Sequence, residues 1–383
     1  MLTTLPLAAP LLFAGCFSPE SLLESTSDAG SDSTGGPNDT GGFDDGFDDQ
    51  GPDDGFGTGP DPVDGGNSED AEDGSDEDAE GGSDEGTDGA PALGGGAVTF
   101  FDEGAFWLFE LVEGAQPQNV SELLEAVGEG EDVFVNIDAT GQWLVLDSQR
   151  IDPQCAGNSC LAVADRSVTA WQPVLSDGSL VFSQGATAIG PDASVIVYED
   201  VGPHDMDLFA VTRVGAPGDG SYSAPILLTG DSAFAAHHNP AIAPNGDLVA
   251  FECEDAEGRA LCEVAVDGTG FTVMVRPTDN PGDSGPADIH HPSYAPDGSL
   301  VFEAAWPDNA IWRAGDSLTR VGEYADDNSP CVLADGNIVS LWTEGPDNPD
   351  NLPEIKLMSP DGASFLPLVT GIDIDAYDIG CGG

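Results

Sequence analysis

Apolar residues in the second half of the chain fall into short runs separated by polar turns. One sequence motif, a polar turn followed by an apolar run, recurs. In each copy a proline leads into a polar turn ending in Asp-Gly or Asn-Gly, and an apolar run then closes on an aromatic residue. The copies lie at residues 240–251, 292–302 and 330–342, with a looser copy at 188–198. Asp-Gly between apolar runs is a strong hairpin signal, so each copy predicts short antiparallel β-strands.

The spacing of these turns predicts the architecture. The aligned turn residues are Gly141, Ala193, Gly246, Gly298 and Gly336, and they are separated by 52, 53, 52 and 38 residues. One copy cannot bury its apolar face alone, so the copies must pack against one another. Four short strands in each unit of roughly 40 to 50 residues are typical of a β-propeller blade. We therefore predict an all-β fold, a β-propeller.

The two ends of this region predict how the ring closes. Residues 375–383 look like the start of a further copy, and residues 96–112 look like the remainder of one. A blade shared between the two ends would remove exposed sheet edges. We predict a propeller over residues 97–383 with six blades, the sixth shared in this way. The alternative is seven blades, with a degenerate unit around residues 171–182.

One copy carries a resemblance to a known family. Pro292-Ser-Tyr-Ala-Pro-Asp297-Gly298 resembles the Pro-x-Trp-Ser-Pro-Asp-Gly phrase of TolB-type, WD40-like propeller repeats. The resemblance covers about residues 130–383 and implies a TolB-like propeller. It implies no single activity, because such propellers serve as binding modules in periplasmic complexes, as gates on peptidases and as catalytic folds.

The N-terminus looks like an export signal. The apolar stretch from Leu5 to Phe13 is too short to span a bilayer and has the layout of a signal-peptide core. Ala14-Gly15-Cys16 resembles the cleavage box of bacterial lipoproteins, which implies a signal peptide at residues 1–15 and lipidation of Cys16. Phe17 stands where an Asp would retain some lipoproteins at the inner membrane, so we expect an envelope protein anchored in the outer membrane. The alternative is an ordinary secretory peptide with an incidental cysteine.

Charge separates a predicted tether from the propeller. Residues 16–96 carry 24 acidic residues and no Lys or Arg, a composition that predicts a disordered acidic tether. The whole chain has 71 acidic residues, so 47 remain after Gly96 against eight basic residues. Phosphate contacts need Lys and Arg, so this balance argues against nucleic acid and anionic lipid surfaces as partners.

The cysteines predict a disulfide framework. Without Cys16 six cysteines remain, an even number in an exported protein, and none has Cys-x-x-Cys spacing. Spacing predicts the pairs Cys155–Cys160, within one small loop, and Cys253–Cys262, across one hairpin. Cys331 and Cys381 remain as the long-range pair.

Four histidines stand just before the prolines of two successive copies: His237, His238, His290 and His291. In a propeller this position edges the central channel. Our main interpretation is that these histidines hydrogen-bond the loops that join neighbouring blades. The alternative is a divalent metal site, because the pattern is similar to oligogalacturonate lyases, which hold a metal with channel histidines on a TolB-like propeller.

The functional prediction follows from these features. We predict a non-catalytic, monomeric envelope lipoprotein whose propeller binds an envelope protein or glycan, with no catalytic residues. The alternative is a metal-dependent polysaccharide lyase of the oligogalacturonate type. Uronate binding needs Arg or Lys, and only eight such residues exist, which favours binding over catalysis. A third hypothesis is an envelope spacer without a ligand. No Gly-x-Ser-x-Gly motif is present, so the sequence does not predict a serine hydrolase.

Overall fold

The computed structural model describes residues 90–102, 105–123, 130–167, 170–282, 285–322, 327–342, 354–370 and 379–383. The predicted signal peptide, Cys16 and nearly all of the predicted tether lie outside these residues. In the described part the regular structure is β-strand, apart from 3₁₀ turns at Ser121–Leu123, Pro153–Cys155 and Pro191–Ala193. The prediction of an all-β fold is therefore confirmed.

The described strands form seven sheets. Sheet 1 starts with β1 (Ala97–Asp102), β2 (Ala105–Glu110) and β3 (Gln118–Asn119), and sheet 2 with β4 (Asp132–Ile137), β5 (Trp143–Ser148), β6 (Ser159–Asp165) and β7 (Gln172–Pro173). The hairpin of β8 (Leu175–Ser176) and β9 (Ser179–Leu180) belongs to sheet 7, and β10 (Phe182–Ser183) returns to sheet 2. Sheet 3 contains β11 (Thr187–Ile189), β12 (Val195–Asp200) and β13 (Asp207–Thr212); β14 (Ser221–Tyr222) joins sheet 7, and β15 (Ile226–Leu227) completes sheet 3.

The remaining sheets are simple antiparallel meanders of four strands. Sheet 4 contains β16 (Ala236–Ile242), β17 (Leu248–Asp255), β18 (Gly258–Ala265) and β19 (Thr272–Val275). Sheet 5 contains β20 (Ile289–Tyr294), β21 (Leu300–Ala305), β22 (Asn309–Ala314) and β23 (Leu318–Arg320). Sheet 6 contains β24 (Asp327–Val332), β25 (Ile338–Trp342), β26 (Glu354–Met358) and β27 (Phe365–Thr370), and β28 (Gly380–Gly382) then joins sheet 1.

The sheets are arranged as a propeller. The inner strands β28, β4, β11, β16, β20 and β24 contact one another in turn, and the last contacts the first. In sheet 1 the C-terminal strand pairs antiparallel with β1, so that Cys381 lies opposite Val98. The two ends of the propeller region are thereby held in one sheet.

The count of seven sheets corrects our main prediction of six blades. The named alternative, a degenerate unit around residues 171–182, matches the position of sheet 7, whose hairpin β8–β9 pairs in parallel with β14. This sheet supplies no strand to the inner ring. Its hairpin has strands of only two residues, so it fits within the 52-residue spacing between Gly141 and Ala193 and leaves the period unchanged.

Apolar side chains fill the space between consecutive sheets. Strand β12 shows why its run is continuous rather than alternating: Val195 and Val197 pack toward sheet 4, whereas Ile196 and Tyr198 pack toward sheet 2. A strand that is buried on both faces needs apolar residues at every position. Six such clusters, each shared by two consecutive sheets, hold the ring together among the described residues.

The three predicted disulfides are present. Cys155, in the 3₁₀ turn before β6, bonds to Cys160 on β6, and Cys253 on β17 bonds to Cys262 on β18. Cys331 on β24 bonds to Cys381 on β28 and so links the inner strands of sheets 6 and 1.

We expect the long-range disulfide to stabilise the fold more than the short one. Cys331 and Cys381 are 50 residues apart, against 5 for Cys155 and Cys160. Restriction of the unfolded chain then corresponds to about 4 kcal/mol for the first bond and about 2 kcal/mol for the second. Urea unfolding of the Cys331→Ser/Cys381→Ser and Cys155→Ser/Cys160→Ser variants measures both losses. Equal losses, or a larger loss for the short pair, would contradict the expected order.

Candidate functional site

The inner strands of sheets 4, 5 and 6 share one backbone irregularity just before their prolines. Asn239, His291 and Ser329 all adopt left-handed backbone conformations, with φ of 50°, 49° and 46°. At each of them the antiparallel register with the second strand of the sheet is interrupted. Left-handed backbone costs a residue with a side chain roughly 1–2 kcal/mol, so each position needs a compensating interaction.

That interaction is a hydrogen bond to a buried glutamate of the preceding sheet. The backbone N–H of Asn239 donates to Glu199 Oε1 at 2.7 Å. The N–H of His291 donates to Glu252 Oε1 at 2.9 Å, and the N–H of Ser329 to Glu303 Oε2 at 3.1 Å. A bond from an amide to a carboxylate is stronger than one between neutral groups. Each of these three glutamates therefore fastens its own sheet to the next one.

Side chains extend these bonds into one continuous chain. Asn239 Nδ2 donates to Glu252 of its own sheet at 2.7 Å. His291 Nδ1 lies 3.1 Å from Glu303 of its own sheet. The sequence of contacts thus runs from Glu199 through Asn239, Glu252 and His291 to Glu303. We call Glu199, Glu252 and Glu303, with the groups that bind them, the glutamate chain.

Histidines also reach the glutamates from the following sheet. His238 Nδ1 lies 3.2 Å from Glu199 Oε2, and His290 Nδ1 lies 3.4 Å from Glu252 Oε2. Arg259 Nη1 adds a donor at 3.1 Å from the same Glu252 oxygen. These contacts agree with our main interpretation that the histidines join neighbouring blades.

Glu252 and Glu303 are held ionised by these partners. Burial alone would raise the pKa of Glu252, but the hydrogen bond from His290, together with the nearby His291 and the Asn239 amide, lowers it to about 2. Burial likewise acts to raise the pKa of Glu303, and the contacts with His291 and the Ser329 amide hold it below its ordinary value. The hydrogen bond to Glu199 raises the pKa of His238.

Sheet 2 carries a different group at the corresponding point. Asp147 follows the apolar run of β5 as Glu252 follows that of β17, and it is fully buried. Burial raises its pKa to about 8, outweighing the hydroxyls of Ser183 and Ser159, which lower it. This carboxyl is therefore mostly protonated at neutral pH, in contrast to Glu252 and Glu303.

His237 lies apart from the other predicted histidines. Its Nδ1 contacts Met206 O at 3.1 Å, and its Nε2 contacts Ser232 Oγ at 2.8 Å. The group of potential metal ligands that the described residues bring together is His204, Asp207 and His237. The predicted metal site formed by His237, His238, His290 and His291 remains a prediction.

The central channel contains a cavity of about 210 Å³ beside the glutamate chain. Its wall consists largely of prolines and small apolar residues of the inner strands. Pro240, Ala241, Pro292, Pro330 and Asn136 are among the lining residues. A smaller cavity of about 70 Å³ is lined by Asn239, His291 and Ser329, so the channel also meets the left-handed residues.

The glutamates were missed in the sequence, although a signal for them exists. Each directly follows the aromatic residue that closes an apolar run, in the pairs Tyr198-Glu199, Phe251-Glu252 and Phe302-Glu303. A carboxylate at one fixed position in three successive copies stands out from scattered surface acids. The overall excess of acidic residues hides this pattern.

We expect Glu252→Gln to destabilise the protein far more than Glu254→Gln. Glu252 is fully buried and bonded to three elements, so loss of its charge should cost about 3–5 kcal/mol, the range for breaking a buried ion pair. Glu254 pairs with the same Arg259 but is 41% exposed, so its replacement should cost less than about 1 kcal/mol. Urea unfolding measures the loss in free energy of unfolding for both variants. Similar small losses would show that the glutamate chain does not hold the sheets together.

We expect His238 to stabilise the fold at low pH and not at high pH. Its folded pKa lies above its ordinary value, so its contribution is complete below about pH 6.5 and is lost as pH rises through the higher folded pKa. His238→Asn replaces it with a neutral donor, as Asn328 stands at the matching place in sheet 6. Unfolding free energies of both proteins between about pH 6 and pH 8.5 should converge as pH rises. A constant difference, or one that grows with pH, would contradict this.

Comparison with known proteins yields similarity of fold. No protein-family model and no curated protein sequence matches the chain. Among solved structures, a TolB-type protein from Agrobacterium tumefaciens is 15% identical over 75% of this chain and 96% of its own, with a TM-score of 0.46. TolB from Acinetobacter baumannii is 12% identical over 76% of this chain and 66% of its own, with a TM-score of 0.49.

An enzyme is also among the similar structures. An oligogalacturonate lyase from Vibrio parahaemolyticus is 15% identical over 70% of this chain and 71% of its own, with a TM-score of 0.45. Identities this low describe the fold alone and do not transfer an activity. The fold of the chain is a β-propeller, and TolB proteins are among the structures to which it is similar.

Proposed function

We propose that this protein is a non-catalytic binding module of the bacterial cell envelope, whose channel receives part of an envelope protein or glycan. The observation that carries this proposal is the proline-lined cavity of about 210 Å³ at the centre of the ring. Ligand sites are concave and mostly apolar, with a few polar groups that fix orientation. Asn136, which lines both cavities, is such a polar group.

The charge distribution supports a neutral or cationic partner. Seven of the eight basic side chains contact the protein's own oxygen atoms. They are Arg150, Arg166, Arg213, Arg259, Arg313, Arg320 and Lys356. Lys356, the single lysine of the chain, is fully buried with its Nζ 2.5 Å from Asp327. Cations held in this way are poorly placed to bind an anionic ligand.

This distribution disfavours the alternative of a polysaccharide lyase. Recognition of a uronate carboxylate relies on Arg or Lys in the cleft. Arg259 is the basic residue that contacts the glutamate chain, and both Glu252 and Glu254 already bind its guanidinium. His238 and His291 likewise contact carboxylates of the protein. We therefore propose binding rather than lyase activity.

The envelope location remains a proposal based on the sequence. We propose that Cys16 carries the lipid anchor in the outer membrane and that the acidic tether spaces the propeller from it. No helix within the described ranges has the length and apolar character needed to cross a membrane. Labelled palmitate should enter the wild-type protein in bacteria and not a Cys16→Ser variant.

Binding through the channel can be tested with one blocked variant and one matched control. Ala241 lines the cavity, so Ala241→Tyr should fill it, whereas Ala224 is exposed before β15 and Ala224→Tyr should leave it open. The three full-length proteins are immobilised, exposed to solubilised envelope, and assayed for retained proteins and glycans. We expect the same ligand on the wild type and Ala224→Tyr, and its loss from Ala241→Tyr. Equal retention by all three proteins, or none by the wild type, would reject the channel as the binding site.

A further inference from the structure

A second group of ionisable side chains lies where sheets 3 and 4 meet. Asp207 begins β13, His204 precedes it in the chain, and His237 lies on β16 of the next sheet. One potential ligand atom from each residue lies within 4.8 Å of the other two. Asp207 Oδ1 is 2.7 Å from His204 Nδ1 and 3.3 Å from His237 Nδ1. Two imidazole nitrogens thus face one carboxylate oxygen.

Backbone contacts hold His204, Asp207 and His237 near one another without an ion. Met206 forms a parallel β-bridge with Ala236, and the His237 N–H donates to Met206 O at 3.1 Å. Gly202 makes room for the carboxylate, because a Cβ atom there would lie only 2.3 Å from Asp207 Oδ2. The segment that carries His204 and Asp207 is thereby joined to the strand that carries His237.

The surroundings resemble those of a structural ion site. The side chains of Asp207 and His237 are 0% exposed, and that of His204 is 21% exposed. The ring of His237 packs edge-on against Phe251, whose centroid is 5.8 Å away. An apolar wall on one side and a partly exposed imidazole on the other would shield an ion and still allow it to enter.

We propose that His204, Asp207 and His237 bind a divalent transition-metal ion of the zinc type, which joins sheet 3 to sheet 4. Imidazole nitrogen and carboxylate oxygen are common zinc ligands. Tetrahedral zinc with bonds of about 2.0–2.1 Å places neighbouring ligand atoms about 3.3 Å apart. His237 Nδ1 and Asp207 Oδ1 already have this separation, and His204 Nδ1 lies closer to Asp207 Oδ1, at 2.7 Å. Zinc binding would replace the contact of His237 Nδ1 with Met206 O.

Hydroxyl groups complete the surroundings of the ligands. Thr229 Oγ1 donates to Asp207 Oδ1 at 2.6 Å, and Ser232 Oγ lies 2.8 Å from His237 Nε2. Metal-bound histidines commonly donate their second ring N–H to such an oxygen, which fixes the orientation of the ring. The site is distinct from the channel histidines, since His238, His290 and His291 are not part of this group.

The opposing hypothesis is a purely hydrogen-bonded cluster in which both imidazoles donate to Asp207. The two hypotheses differ in zinc binding. The full-length, disulfide-bonded protein is stripped with a chelator and titrated calorimetrically with zinc chloride, with excess calcium present to occupy the carboxylates of the acidic segment. We expect one tight zinc site per chain and a rise in the unfolding temperature on zinc addition.

Two variants locate the site. His204→Ala removes the partly exposed ligand and should weaken zinc binding by more than about tenfold, since loss of a mere supporting partner costs 10- to 100-fold. His290→Asn alters the channel and should bind zinc as the wild type does. Cobalt(II) provides a second readout, with tetrahedral absorption bands in the wild type that His204→Ala loses. No tight site in the wild type, unchanged binding by His204→Ala, or loss of binding in His290→Asn instead would overturn the proposal.

Discussion

The fold depends on a small number of buried carboxylates placed where neighbouring sheets meet. Apolar packing between sheets is non-directional and would tolerate sliding. The bonds from the amides of Asn239, His291 and Ser329 to glutamates of the preceding sheets fix the spacing and rotation of sheets 3 to 6. The left-handed backbone at these residues costs conformational free energy, and the charge-assisted hydrogen bond to each glutamate offsets that cost. Because these bonds position the inner strands, they also determine the shape of the central channel.

The same constraint separates structure from function among the polar residues. Our main interpretation placed the histidines before the prolines in contacts between blades, and His238, His290 and His291 contact carboxylates that join sheets. A metal site formed by these histidines remains a prediction. The basic residues are similarly engaged. The proline-lined channel therefore remains as the candidate ligand site. The group of His204, Asp207 and His237 is a separate cluster, and it does not contain His238, His290 or His291.

Much of the fold follows from the sequence because its information is periodic. Turns ending in Asp-Gly or Asn-Gly at regular spacing predicted the strands and the propeller, and the number and spacing of the cysteines predicted the three disulfides. The seventh sheet was predicted only as the alternative, because strands of two residues form a weak pattern and leave the 52-residue spacing unchanged. The group of His204, Asp207 and His237 could not be predicted from the sequence for a different reason. His204 and Asp207 are 30 or more residues from His237, and the bridge between Met206 and Ala236, with the backbone hydrogen bonds beside it, brings them together.

The central claim is that hydrogen-bond donors where sheets meet hold the buried Glu252 and Glu303 ionised, and the charge of Glu252 reports this most directly. Carbon-13 NMR of glutamate-labelled protein, with Glu252→Gln to assign the resonance, measures its ionisation as a function of pH. Because the pKa of Glu252 lies near 2, its signal should remain that of a carboxylate at pH 4.5, where an exposed glutamate is about half protonated. Half protonation of Glu252 at pH 4.5 in the folded protein would contradict the account.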